Sequence, residues 1–177
     1  MAVSDLTAVL PPPPGHGWED VDWAAAERSL GLSLPQDYKD FIALYGPGTF
    51  DDFLHVFLPA TGNENLDLGH RQRMDIDTLR DFKEEFPENV PYRLTGPVEL
   101  VPAAITINGD IVYWRRQDVG SPDSWTMAIC ESRISEWFEY DGSLTSFLAD
   151  LLTRRVRVPL FPEGIPHSPP EYFPYEP

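Results

Sequence analysis

The chain has 177 residues, a length that suits one globular domain with short extensions and that buries enough surface to fold without disulfides or structural metals. Its 29 acidic residues against 13 basic ones give a formal charge of −16, which argues against nucleic acid or an anionic membrane as the main partner, because both are bound through Lys and Arg. The single cysteine excludes an internal disulfide framework and any zinc site built from several cysteines.

Two short helices are predicted near the start of the chain. Asp20 or Asp22 can cap the first helix, and Gly31 offers the left-handed residue that ends it. Pro35 suits the first turn of the second helix, and Gly46 follows its last turn. The apolar face of the second helix has helical spacing and consists of Tyr38, Phe41, Ile42 and Tyr45.

The next part of the chain predicts one strand, one loop and one helix. Residues 53–58 are aromatic and β-branched enough for a buried strand, which Pro59 ends. Residues 60–69 are polar and predict a loop. Residues 75–86 carry apolar side chains at helical spacing and predict a third helix, which Pro87 ends.

A hairpin is predicted around Asn108 and Gly109. The flanking residues 98–107 and 111–114 have the composition of strands. Asn and Gly both tolerate the positive φ angles of a type I′ turn, which makes this dipeptide the strongest hairpin signal in the chain.

The last third of the chain completes the fold prediction. Residues 125–130 and 137–140 predict two further strands, and Ser143 begins a closing amphipathic helix. Beyond Val158, seven of the last 19 residues are proline, a composition that permits neither a helix nor a central strand. The order of elements predicts an α+β fold with an antiparallel central sheet flanked by helices.

Composition also predicts how the chain is organised. It divides into a Pro-rich N-terminal arm at 1–17, a domain at 18–158 and a Pro/aromatic C-terminal tail at 159–177. The first ten residues contain Asp5 and lack the early Lys or Arg of a signal peptide. No stretch approaches the roughly 18 uncharged apolar residues of a membrane span, so we expect a cytoplasmic protein. A monomer is the expected state.

The catalytic residue types form no recognisable constellation. Cys130 lies in an apolar strand run, which predicts a buried side chain rather than a nucleophile. The 4 histidines form no metal-ligand pair, so neither a metal nor a cofactor is expected. One enzymatic alternative stays open, a hydrolase in which His55 acts as general base beside Asp51 or Asp52.

Acidic residues in turns and loops are the predicted contacts for a partner protein. They form one group around the first strand and another around the hairpin, and loops carry recognition more often than packed elements do. Trp114 precedes two arginines at a strand end, where we expect it to be exposed. The predicted partner-binding residues are Asp51, Asp52, Glu64, Asp67, Asp110, Trp114, Asp118 and Asp123.

Three motifs follow one another along residues 18–155. The first is Trp23-x3-Glu27-x2-Leu30-Gly31-x2-Leu34-Pro35-x-Asp37-Tyr38-x2-Phe41-x3-Tyr45-Gly46-x-Gly48-x-Phe50. The second is Ile107-Asn108-Gly109-Asp110 with Tyr113-Trp114 and Pro122-Asp123-x-Trp125, and the third is Ser146-Phe147-Leu148-x2-Leu151-Leu152. Their ordered combination resembles the SUKH superfamily of Smi/Knr-type domains, with the arm and the tail outside the resemblance.

The resemblance implies a helix-flanked sheet without enzymatic activity. Bacterial members typically act as immunity proteins that bind and block a toxin, often a nuclease, and fungal members serve as signalling and cell-wall scaffolds. Nucleases present basic clefts to phosphate, so the charge of −16 favours the immunity function and a basic nuclease toxin. The alternative is a scaffold of the fungal type that uses the Pro/aromatic tail as a docking peptide.

Overall fold

The computed structural model describes residues 3–117 and 121–176, which form five α-helices and seven strands. The helices are α1 (Val3–Val9), α2 (Trp23–Leu30), α3 (Gln36–Tyr45), α4 (Leu68–Glu85) and α5 (Leu144–Leu152). The strands are β1 (Gly48–Phe50), β2 (Leu54–Val56), β3 (Leu100–Thr106), β4 (Ile111–Arg115), β5 (Thr126–Cys130), β6 (Trp137–Tyr140) and β7 (Tyr172–Pro174).

All seven strands belong to one antiparallel sheet, whose order is β6-β5-β4-β3-β2-β1-β7. The first six strands follow one another in chain order, as in a meander. The last strand returns from the C-terminal segment to pair with β1, so β7 and β6 form the two edges. The predicted α+β fold with a central antiparallel sheet is confirmed.

Helices cover both faces of the sheet, and the strands alternate accordingly. One face carries Val112, Trp114, Met127 and Ile129, which share a core with buried side chains of α1, α3 and α5. The other face carries Tyr113, Ala128 and Cys130, which share a second core with Ile76 and Leu79 of α4. This period of two is what a sheet buried on both sides requires.

The expectation that Trp114 is exposed is wrong. The side chain is 1 % exposed, and its ring stands edge-on to Tyr38 at a centroid distance of 5.0 Å. Trp125 contributes a second edge contact at 6.4 Å. The alternation along β4 places position 114 on the same face as Val112, and that face lies under helices.

The third helix is longer than predicted. It begins at Leu68 instead of Asp75, because the Asp67 carboxylate accepts a hydrogen bond from the His70 N–H at 2.8 Å and caps the helix N-terminus. The first two turns are polar on most sides, so the apolar spacing that predicts a helix only starts further along the chain.

The turn at Asn108 and Gly109 differs from the predicted type. Around Asn108 the hairpin forms as predicted, but Gly109 is the residue with positive φ (89°), and the Thr106 N–H closes the loop on the Asp110 carbonyl at 2.9 Å. This is a three-residue loop and not a type I′ turn. The turn with two consecutive positive φ angles joins β1 to β2 at Asp51 (54°) and Asp52 (51°).

Both terminal segments pack against the sheet domain. In α1, Leu6 is fully buried within the first core, and the Tyr45 hydroxyl donates to the Leu10 carbonyl at 2.5 Å. At the other terminus, β7 extends the sheet beyond β1. The division at 1–17, 18–158 and 159–177 stays a prediction about chain organisation.

Because α1 supplies a core side chain, we expect Leu6→Ala to lower the free energy of unfolding by about 2–5 kcal/mol through lost burial and a cavity. Ser4→Ala, at an exposed position of the same helix, is the matched control and is expected to stay within about 0.5 kcal/mol. Urea unfolding of the full chain measures both values. Equal midpoints for the two variants would show that α1 contributes nothing to the core.

Candidate functional site

Three turns meet at one end of the sheet, where β1 joins β2, β3 joins β4 and β5 joins β6. We call residues 51–53, 107–110 and 131–136 the turn end. The Ile107 N–H donates to the Phe53 carbonyl at 2.9 Å, and the Ser132 N–H donates to the Asp110 carboxylate at 3.1 Å. These bonds hold the three turns as one surface.

Asp110 lies buried beneath this surface. Its side chain is 3 % exposed, and its carboxylate accepts the Thr106 hydroxyl at 3.0 Å as well as the Ser132 N–H. The partner contact predicted for Asp110 stays a prediction, and the structure shows a carboxylate that joins two turns from a buried position. A buried carboxylate requires such donors, because leaving it without hydrogen bonds costs several kcal/mol.

Asp51 also turns inward. It is 4 % exposed, and its carboxylate accepts the backbone N–H groups of His167 at 2.8 Å and Glu171 at 2.7 Å. The residue was predicted to contact a partner, but in the structure it binds the C-terminal segment of its own chain. Long-range contacts of this kind, across 116 and 120 residues of sequence, leave no local signal.

Two residues of the turn end do face solvent. Asp52 is exposed at the second position of the left-handed turn. Ile107 is 65 % exposed, more than any other large hydrophobic side chain among those described. Glu136 and Arg133 are exposed in the neighbouring turn. A large exposed apolar side chain with polar residues on the same surface is a feature of protein-binding sites.

Sequence reasoning missed Ile107, although the residue stands beside the hairpin signal. The Asn-Gly dipeptide shows that a turn is present, and a β-branched apolar side chain next to a turn has no strand neighbour to cover it. That combination was the available signal.

The remaining predicted contacts lie at the opposite end of the sheet. Asp67 caps α4, and the Asp123 carboxylate accepts the Gln36 N–H at 2.6 Å where α3 begins. Glu64 is exposed in the loop before Asp67. The structure thus separates Asp67 from Asp51, with which it was grouped. Asp118 lies outside the described residues.

Acidic side chains at helix N-termini account for part of the charge. Besides Asp67 and Asp123, Asp22 caps α2 through the Ala25 N–H at 2.9 Å. Asp37 accepts both the backbone N–H and the hydroxyl of Thr145 in the first turn of α5, each at 2.9 Å. Carboxylates are stabilising there because the first N–H groups of a helix have no partner within it.

The surroundings of Cys130 and His55 favour the uncharged form of each side chain. Burial raises the pKa of the Cys130 thiol to about 12, so the nucleophilic thiolate is disfavoured. Burial lowers the pKa of His55 although the charge of Asp52 acts in the opposite direction, and the His55 Nδ1 has no hydrogen-bond partner among the residues described. Within 3–117 and 121–176, no three side chains group as a metal site would require. Across the same ranges, no helix has the length and apolar character needed to cross a bilayer.

The fold and the motifs agree with a comparison against protein families. The family model SUKH_6, described as SMI1-KNR4 cell-wall, matches residues 20–148, which is most of the chain. The chain belongs to the SUKH superfamily. The match to this SMI1-KNR4 family includes the turn end and stops within α5, so α1 and β7 lie outside it. No curated protein and no solved structure matches the chain.

The left-handed turn makes a prediction about stability. At position 52 glycine is expected to be more stable than alanine by about 1 kcal/mol, because a Cβ disfavours positive φ more than glycine loses in chain entropy. The comparison is between Asp52→Gly and Asp52→Ala, each measured by urea unfolding.

Glu64 provides the matched control, since it is exposed and does not have positive φ. Glu64→Gly is expected to be no more stable than Glu64→Ala. The same order at positions 52 and 64 would contradict a left-handed conformation at Asp52.

Proposed function

We propose that this SUKH domain is a non-enzymatic, cytoplasmic immunity protein that binds and blocks a cognate protein toxin. The observation that carries the proposal is the turn end, where the backbone of the exposed Ile107 is bonded to Phe53, the residue that follows the exposed Asp52. Membership of the SMI1-KNR4 family supports a protein-binding role. A monomer that meets its partner through this surface needs no cofactor.

Charge supports a basic toxin, with a nuclease as the favoured class. Residues 1–70, which include α1–α3, β1 and β2, contain 11 of the 29 acidic residues but two of the 13 basic ones. This part of the chain therefore has a net charge of −9. A nuclease carries positive charge where it binds phosphate, so the two fields attract. Attraction of this kind raises the rate of association, which suits a protein that must reach a toxin before it acts.

Hydrophobic burial at the centre supplies the affinity. An interface of standard size buries about 1,600 Å² in total, and a few central side chains carry most of the binding energy. Ile107 has the exposure to act as such a residue, because the hydrophobic gain depends on the apolar area removed from water. The acidic residues around it contribute mainly to steering.

Substitutions at the two ends of the sheet test where the partner binds. Ile107→Asp is expected to weaken binding of the cognate toxin about tenfold or more. Asp52→Lys is expected to slow association and to reduce the effect of salt on its rate. Glu64→Lys, which makes the same charge change at the opposite end, is the matched control. Surface plasmon resonance against the toxin, purified from the native host, gives both rates.

Equal effects of Asp52→Lys and Glu64→Lys, with no effect of Ile107→Asp, would contradict binding through the turn end. A second assay concerns the immunity function itself. Titrating the protein into the toxin's own reaction, with nucleic-acid cleavage tried first, is expected to abolish activity at a stoichiometry of one to one. Cells that express the toxin should survive when they also express the protein, and their failure to survive would contradict the proposal.

The scaffold alternative requires a tail that is free to dock elsewhere. Residues 172–174 are instead paired with β1 of the same chain, and the preceding segment is bonded to Asp51. This arrangement favours the immunity function over the scaffold.

A further inference from the structure

The C-terminal segment lies along the side of β1 that faces away from β2. Thr49 pairs with Phe173 in the antiparallel ladder, and the Tyr175 N–H donates to the Pro47 carbonyl at 3.1 Å. The backbone of Asp51 bonds to the Glu171 carbonyl at 2.9 Å. We use the name edge groove for the side of β1 that pairs with β7, the Asp51 carboxylate and the pocket that receives Tyr172.

The pocket in the edge groove is shaped for a phenol ring. Three aromatic side chains line it, with centroids 4.8 Å (Phe50), 5.3 Å (Tyr45) and 6.4 Å (Phe41) from that of Tyr172. The Tyr172 hydroxyl donates to the Gly46 carbonyl at 2.7 Å. Phenylalanine would fill the same space but leave this carbonyl without its donor.

Space for the ring depends on Gly48. A Cβ built at this position would lie 2.6 Å from the Tyr172 hydroxyl oxygen, well inside van der Waals contact. The φ of Gly48 is not in the left-handed region, so alanine fits the backbone and only the ring is excluded. The glycine therefore distinguishes a groove with an aromatic pocket from one without.

The Asp51 carboxylate selects a second feature of the bound segment. It accepts two backbone N–H groups, those of His167 and Glu171, and therefore requires a chain that presents both donors to it. Because the carboxylate is 4 % exposed, a segment that lacks these donors would leave a buried charge unsatisfied. The edge groove therefore binds a segment that has an extended backbone, two backbone N–H donors for Asp51 and a tyrosine side chain.

We propose that the edge groove is a peptide-binding site for an extended, tyrosine-containing segment of a partner protein, and that the chain's own tail occupies it until such a segment replaces it. Addition of a strand to an open sheet edge is a general mode of peptide recognition. The tail strand has three residues, all half-buried, and lies outside the family match. Short edge elements of this kind open at lower free-energy cost than the core. The site does not depend on the proposed toxin.

The exchange can be measured with the full chain and a labelled synthetic peptide of residues 165–176 as the probe. Tyr172→Ala removes the ring from the pocket and so weakens the hold of the chain's own tail, which the probe is expected to displace from this variant. The wild type is expected to bind it at least tenfold more weakly, because its own tail competes at a high effective concentration. Fluorescence anisotropy gives both dissociation constants, and circular dichroism confirms that the variant is folded.

The double variant Gly48→Ala with Tyr172→Ala is the matched control. Its pocket is blocked for the probe by the new Cβ, so binding is expected to be about thirtyfold weaker than to Tyr172→Ala alone. A probe carrying phenylalanine in place of the tyrosine at 172 should also bind more weakly, because it lacks the hydroxyl that meets Gly46. Should Tyr172→Ala prove unfolded, Tyr172→Leu, which removes the ring but keeps an apolar side chain, serves as the receptor in the same experiment.

Two results would overturn the proposal. One is a folded Tyr172→Ala variant that does not bind the probe, or that binds it as tightly as the double variant with Gly48→Ala does. The other is a wild-type dimer in sedimentation that disappears in Gly48→Ala, since that would assign the groove to the tail of a second copy instead of a partner's segment.

Discussion

The buried carboxylate of Asp51 is the constraint on which the edge of the sheet depends. It is 4 % exposed, and the groups that satisfy it are two backbone N–H groups from a segment more than a hundred residues away in sequence. Removing an ionised carboxylate from water is costly without such donors. The positive φ of Asp51 places the carboxylate, the tail supplies the donors, and β7 extends the sheet as a result. The C-terminal segment is therefore part of the fold although it lies outside the family match.

The structure also changes the meaning of the chain's acidity. Asp22, Asp37, Asp67 and Asp123 each accept a backbone N–H at the start of a helix. Asp51 and Asp110 are buried and hydrogen-bonded. These six carboxylates have structural functions that would be needed without any partner. Their charge still adds to the long-range field, which falls off over about 10 Å at 0.1 M salt, so a structural role and a contribution to electrostatic steering coexist.

The sequence predicts the elements better than it predicts the surface. Gly31 and Gly46 end their helices with positive φ as expected, and the strands of the meander lie close to where β-branched and aromatic residues cluster. Those features depend on local backbone preferences. The burial of Trp114 depends on which face of β4 lies under helices. The hydrogen bonds of Asp51 and Asp110 depend on residues that are distant in sequence. Neighbouring residues encode neither of these features. The sequence therefore did not show that Asp51, Asp110 and Trp114 are buried.

The proposed protein-binding surface is centred on Ile107. This surface can be tested by hydrogen–deuterium exchange of the full chain, alone and saturated with its cognate toxin, because exchange measures the protection of backbone amides in each turn. We expect slower amide exchange in the complex at residues 51–53, 107–110 and 131–136, with unchanged exchange rates at the opposite end of the sheet. Protection confined to the loop at 60–67 and the region around Asp123, with the turn end unaffected, would contradict it.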